Sequence, residues 1–421
     1  MNAGNDAPFD LVIRHVRIAS GDAPVDIAVR GGRIAVIESS FRCDAVEDVD
    51  GRGAFAFAGF VDSHIHLDKA CILDRCNICE GTLVEAVRET AKAKATFEED
   101  DVYARAARVV EKAIAHGTVR MRAFVEIDPR AGFRSFAAIK RIRKDYAFAV
   151  DIEICAFAQE GLTQEPQTLA MLDAALSDGA DLIGGCPYVD ADPEAHIEAI
   201  FALAAKHDVA VDFHLDFSLE PALTHLPQVI AATRKHGWQG RVAIGHVTNL
   251  SALGPADIDA IADQLAENGI ALTVLPATDL FLNGRGHDRL VPRGLAPAHR
   301  LAKRGVVTSI ATNNVLNPFT PFGDASLIRM ANLYANVAQL AGDKDIAEVF
   351  AMVGALAARQ LGKPHELAVG QPATIVLLEA NDGIAAVREV ARVVAGWKDG
   401  RQSFDNGCPR LLRLNRKDEE T

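Results

Sequence analysis

From residue 55 to about residue 315, short β-branched or aromatic runs alternate with Ala-rich segments of helical period, and this alternation constrains the fold more than any other feature. Eight buried strands are predicted, at 54–62, 118–125, 148–156, 181–186, 209–214, 241–246, 270–275 and 306–312. Residues at or just past their ends are His66, Phe124, Phe157, Cys186, His214, His246, Leu275 and Asn313. After a long first excursion these follow one another at roughly thirty residues. A strand–helix unit of that size, repeated eight times, is what a (β/α)8 TIM barrel requires. An open doubly wound sheet would show the same alternation with fewer strands. No GxGxxG or Walker-type loop follows any of the runs, which favours the barrel.

The helical segments carry ordinary end signals. Asp100-Asp101 precedes a stripe through Val102, Ala106, Val109, Val110 and Ala113, closed by Gly117; Asp324 and Asp345 open two further helices predicted to end at Gly342 and Gly362. Outside the barrel segment the period is two. Leu11, Ile13, Val16 and Ile18 precede Val25, Ile27 and Val29, and Gly31-Gly32 signals a hairpin into Ile34, Val36 and Ile37. The pattern returns after Gly362, through Leu367 and Val369, then Ala373, Ile375, Val376 and Leu378, then Val390, Val393 and Val394. Neither end has enough strands for a stable core alone. The two are expected to pair as a small β-sandwich domain, residues 1–57 with 363–421, flanking a barrel domain over 58–362.

A formal charge of −13 with scattered basic residues argues against a phosphate-binding surface. No apolar run reaches roughly 18 residues, and the start M-N-A-G-N-D lacks a charged segment followed by an apolar one. The expectation is a cytoplasmic protein with a small-molecule substrate and no nucleic-acid or membrane partner; a homo-oligomer stays open. Seven cysteines do not read as a disulfide framework, and the lone Cys76-Asn77-Ile78-Cys79 favours unpaired thiols over a metal or redox pair.

His64, His66, His214 and His246 all fall at the C-terminal ends of predicted strands 1, 5 and 6, which converge on one mouth in a barrel. His64-Ile65-His66 places two imidazoles on one strand face, and His214 would complete three neutral nitrogen donors suited to Zn²⁺ or Fe²⁺. Gln159 and Glu160 follow strand 3, and Asp216 lies two residues past His214. Each of these has an ordinary reading as a loop, helix-start or N-cap residue. Arg285, Arg289 and Arg293 after strand 7 either receive an anion or solvate a long loop, and the loop is favoured.

The chain resembles the cytosine deaminase-like branch of the amidohydrolase superfamily. The resemblance runs through D-I-A-V-R-G-G-R-I-A-V-I (26–37), G-F-V-D-S-H-I-H-L-D (59–68), F-A-Q-E-G (157–161), G-A-D-L-I-G-G-C-P (179–187), V-D-F-H-L-D (211–216), G-H-V (245–247) and N-P-F-T-P-F-G (317–323). It implies a barrel hydrolase acting on a C–N bond with one divalent metal ion, Zn or Fe, held by His64, His66 and His214. It also implies that His246 orients the water and the attacked centre, and that Gln159 recognises the amide edge of the substrate.

The departures from that pattern fall where the chemistry is. A glutamate that shuttles protons after the strand 5 histidine is replaced by Phe217, the aspartate pair at the end of strand 8 by Asn313 and Asn314, and a frequent histidine on strand 2 by Phe124. Asparagine can accept a hydrogen bond but takes no proton at neutral pH. General acid–base catalysis typically contributes about 10²–10⁴-fold, so cytosine itself is a poor candidate substrate.

One way out is a substrate with a less demanding leaving group, with Phe217 and Phe124 lining an apolar pocket and Asn314 beside them. Another is replacement of the missing acid by His246 first, then Asp216, with Asp68, Glu160 and Glu220 more distant. Asn313 then keeps the position of the water-activating group without its basicity. The reading from a different class is a noncatalytic small-molecule-binding protein on the same scaffold. Zinc deaminases using H-x-E with P-C-x-x-C do not fit, because His64-Ile65-His66 is HxH and no Pro precedes Cys76.

Overall fold

The computed structural model describes residues 8–19, 21, 23–407 and 409; the M-N-A-G-N-D start lies outside them. Eight parallel strands stand side by side in chain order: Phe60–Ile65, Thr118–Glu126, Asp151–Ala158, Leu182–Gly185, Ala210–Leu215, Val242–His246, Ile270–Val274 and Thr308–Ile310. The last strand returns to the first through a parallel bridge between Ile65 and Asn313. Asn313 N donates to His64 O and His66 N to Asn313 O, each at 2.8 Å. The seam that closes the (β/α)8 barrel therefore runs through the HxH segment.

The predicted strand 54–62 is two strands. Phe55–Phe57 pairs antiparallel with Ile375–Leu378 in a terminal sheet, and the chain enters the barrel only at Phe60. Gly59 separates them at φ +89, with the Val119 side chain where a Cβ would stand, so the corner needs glycine.

Two four-stranded sheets form outside the barrel, one from Phe9–Val16, Val25–Arg30, Arg33–Glu38 and Ala45–Asp50, the other from Phe55–Phe57, Ile375–Leu378, Val393–Lys398 and Arg401–Asp405. Gly31 and Gly32, at φ +59 and +73, make the predicted hairpin turn. Leu11, Ile13, Ile27, Val29 and Ile34 pack on Ile375, Leu377 and Trp397, so the two chain ends share one core. Ala45–Asp50, absent from the sequence reading because its pattern is half acidic, pairs parallel with the first strand. Leu367 and Val369 lie in no strand, and Val390 is the left-handed C-cap of a short helix, Gly383–Glu389, that separates two strands.

Helix starts move by a few residues. Asp100 and Asp101 sit in the first turn of Glu99–Ala115, where acidic side chains favour the helix dipole. Ser326, not Asp324, caps Leu327–Val337. Gly342 is the N-cap of Asp343–Met352, and a further helix, Ala355–Gln360, follows Gly354. Among the described residues no helix is long and apolar enough to cross a membrane, and Cys76 and Cys79 are both free thiols.

Candidate metal centre at the barrel mouth

Three imidazoles meet where the seam closes. His64 Nε2 lies 3.2 Å and His66 Nε2 2.9 Å from His214 Nε2, and all three rings are buried. Two Zn–N bonds of about 2.0–2.1 Å at a tetrahedral angle put their nitrogens roughly 3.3–3.4 Å apart, so this spacing suits a shared ion. The Nδ1 atoms have no protein partner, which leaves the Nε2 side as the one where these rings do their polar bonding. Burial, with neighbouring cationic groups adding to it, holds all three well below their ordinary pKa, so each is a neutral donor.

The floor beneath them is aromatic. Phe124 stacks on His64 with ring centroids 3.9 Å apart at 24°, and Phe157 packs on His214 at 4.2 Å. Phe124 therefore supports a ligand ring from below and does not line the cleft, contrary to its expected place in the substrate wall. Phe217 does line it, edge-on to His246 with centroids 4.9 Å apart at 77°. Gln159, Asn313 and Asn314 line it too, around a narrow cavity of ≈ 20 Å³. With the side chains as they stand that is room for about one water molecule, so a ring-sized ligand has to displace wall side chains to enter. Asn313 is fully buried with neither amide atom partnered, at φ +62, a conformation asparagine tolerates.

His246 stands at φ +70 at the end of its strand, and its Nδ1 lies 2.6 Å from Asp279 Oδ1. Asp279 belongs to the short helix Pro276–Leu282 after the seventh strand. Burial pushes its carboxyl above the ordinary range, with His246 pulling the other way.

Asp216 is placed otherwise than expected. Its carboxylate accepts from Thr224 Oγ1 at 2.7 Å, from His225 N at 3.0 Å and from His225 Nδ1 at 2.9 Å, and it does not line the cleft. It pins the loop before Leu226–His236. Glu160 is likewise committed, to Lys94 at 2.5 Å and to Arg130, while Glu220 is exposed and Asp68 accepts from the backbone of Lys69 and Glu126. Arg285 bonds Phe281 O and Glu80 O, Arg293 bonds Val337 O, and Arg289 is 89% exposed, so the three arginines serve the loop.

Further groups complete the site. Lys69 is 2% exposed, donates to Glu126 Oε1 at 2.6 Å and to Gln159 Oε1 at 3.1 Å, and reaches the cleft wall. Lys94 fills the space among Glu126, Asp128 and Glu160, at 2.8, 2.5 and 2.5 Å. Those three carboxylates also have the spacing of a cation site, but their cation is a lysine of the same chain. Tyr188 lines the cleft as well, beside Cys186. The signal that was available is polar side chains on apolar ground: Asp279 in P-A-T-D-L-F-L, and Lys94 in an Ala-rich helix.

A (β/α)8 barrel with three buried imidazoles converging at its C-terminal mouth defines the class as barrel hydrolases with a candidate metal centre. The family model described as "Amidohydrolase family" matches residues 80–404, and the chain belongs to that family, as a hydrolase acting on C–N bonds. It is 27% identical over 338 residues, 79% of this chain and 76% of the other, to a pterin deaminase of Rhizobium rhizogenes (strain K84 / ATCC BAA-868). It superposes on 5-methylcytosine deaminase from Klebsiella pneumoniae liganded with 5-fluorocytosine at TM-score 0.90, 23% identity, covering 96% and 99% of the two chains. On N-isopropylammelide isopropylaminohydrolase from Burkholderia multivorans ATCC 17616 the values are 0.83 and 27%, over 94% and 98%.

Proposed function

We propose that the protein hydrolyses a C–N bond of a small cyclic amide, amidine or urea-like molecule at one divalent ion, Zn or Fe, held by His64, His66 and His214. The observation that carries this is the convergence of three neutral Nε2 atoms at the barrel mouth, with Nε2 separations of 2.9 and 3.2 Å. Such an ion, when bound, supplies a Lewis acid and lowers the pKa of a coordinated water. The relatives named as a pterin deaminase, a 5-methylcytosine deaminase and an N-isopropylammelide isopropylaminohydrolase support a C–N bond on a ring as the target.

His246 moves the proton in this reading. With Nδ1 donating to Asp279, its Nε2 is left as the acceptor facing the cleft, the way a buried carboxylate orients an imidazole base. Asn313, whose buried amide has no protein partner, is placed to offer a hydrogen bond to water or substrate beside the histidines without taking the proton, and Phe217 packs edge-on against His246. Asp216 holds the loop and plays no part in proton transfer. Gln159 and Asn314 face the ring edge.

The test is metal content and turnover together. Protein purified without chelator should carry about one Zn or Fe per chain and hydrolyse members of a panel of amino- and oxo-substituted pyrimidines, triazines, pterins and cyclic ureas. His64→Ala should lose both. Metal-free preparations that bind no ion, or turnover untouched by His64→Ala, would overturn the reading; bound metal without turnover on a wide panel would favour the noncatalytic binding protein.

A further inference from the structure

Resting on that reading, the cleft also carries information about which edge of a ring it accepts. A free glutamine amide can donate or accept. An ammonium only donates, so the Gln159 atom 3.1 Å from Lys69 Nζ must be Oε1. Gln159 is therefore left with Nε2, which donates one hydrogen to Cys186 Sγ at 3.5 Å and keeps the other for the cleft that Gln159 lines.

Lys69 cannot release this hold cheaply. Its ammonium is buried, donates to Glu126 Oε1 at 2.6 Å and sits 4.5 Å from the centroid of the Phe319 ring. Glu126 is in turn held by Lys94, so the carboxylate that balances Lys69 lies behind it, away from the cleft.

The other fixed amide has the same polarity. Asn314 Oδ1 accepts from Asn317 Nδ2 at 2.7 Å, which leaves Asn314 Nδ2 for the cleft. No Asp or Glu lines the cavity. Lys69, Gln159 and Asn314 thus offer donors only, and the one positive charge among them is Lys69. A ring edge that turned N–H or NH₂ groups toward these three residues would leave donors facing donors, each unmade bond weakening binding by roughly tenfold.

We propose that Lys69, by fixing Gln159 as a donor and adding its own charge, makes this site select rings whose recognised edge is acceptor-only: two carbonyl oxygens flanking a ring nitrogen that has lost its proton. The specificity is the reverse of a site built for an amino-bearing edge. A hydrogen bond to a charged group is worth about 1.5–3 kcal/mol, roughly a factor of ten to a hundred in affinity.

The experiment is calorimetric binding to the metal-loaded protein at pH 8 of two triazines that differ only at their edges, cyanurate and melamine. Wild type should bind cyanurate at least about tenfold tighter. Lys69→Met should weaken cyanurate by about tenfold or more and melamine by much less. Gln159→Glu, which leaves Lys69 paired and puts an acceptor into the cleft, should weaken cyanurate and strengthen melamine; it tests the same point where Lys69→Met does not fold.

Melamine binding as tightly as cyanurate, binding of neither ring, or equal losses for both rings in the variants would overturn the inference. Wild-type protein that holds metal and hydrolyses a ring C–N bond while preferring melamine would sink this inference and leave the proposed function standing. Absence of metal and of turnover would sink the proposed function itself.

Discussion

His246 Nδ1 and Asp279 Oδ1 lie 2.6 Å apart, both side chains buried, bringing together the end of the sixth barrel strand and the helix after the seventh. The pair supplies an oriented imidazole beside a site whose strand 8 carries amides. Asp279→Asn keeps a hydrogen bond but favours the wrong tautomer of His246, as a neutral partner does in hydrolase triads. kcat should fall by about 10²–10⁴-fold with KM and metal content nearly unchanged. Steady-state kinetics with metal analysis checks this; an unchanged kcat would remove His246–Asp279 from proton transfer.

The barrel was legible because fully buried parallel strands read as apolar runs and their helices as periodic ones, independently of the site. Histidines at strand ends stood out for the same reason, being polar on apolar ground. What stayed hidden were partners joined only in three dimensions. Asp279 is 33 residues from His246, and Glu126 is 57 from Lys69 and 32 from Lys94. No spacing rule links such positions, and each carboxylate alone looks like an ordinary helix or loop residue. Phe124 was misplaced for a related reason: a strand end faces either the cleft or its floor, and only the twist of the barrel decides which.

Phe124 fills the space under His64, so Phe124→Ala should create a cavity there. A buried Phe→Ala change typically costs about 3–5 kcal/mol. Here it should also loosen the His64 ring, whose Nδ1 has no protein partner to hold it. Urea unfolding should show the loss of stability, and metal titration a weaker site. Phe124→Leu, which keeps most of the volume, should recover much of both. Unaltered metal affinity in Phe124→Ala would show that the stacking does not position the ligand.

Glu126 gives a pH signature. Burial alone would raise its pKa, but the ammonium groups of Lys69 and Lys94 outweigh that and hold it below the ordinary range. A depressed folded pKa means stability that is complete above the unfolded value, about 4.3, and is lost as pH falls toward the folded one. Glu126→Gln removes one partner of a buried ion pair, a change costing about 3–5 kcal/mol at neutral pH. The gap between wild type and variant should be constant from pH 8 to about 5 and then narrow below about 4.3. Denaturant curves across that range check it, and a gap that widens on acidification would contradict the assignment.

Asn313→Asp tests what the strand 8 amide replaced. Asn313 sits at φ +62, which aspartate also tolerates, and its backbone stays in the closing seam through His64 O and His66 N. Its side chain is buried with no partner, so a carboxyl there must either ionise without a counter-charge or take up a proton. Without metal, Asn313→Asp should be less stable than wild type by about 1–3 kcal/mol. With metal, the new carboxylate faces a cation beside three neutral nitrogens, so the deficit should shrink or reverse and metal affinity should rise. Thermal unfolding with and without chelator, for both proteins, measures the four states of this cycle. A deficit of the same size in both conditions would mean that no cation sits within reach of residue 313, and the three-histidine site would then have to bind its ion elsewhere or not at all.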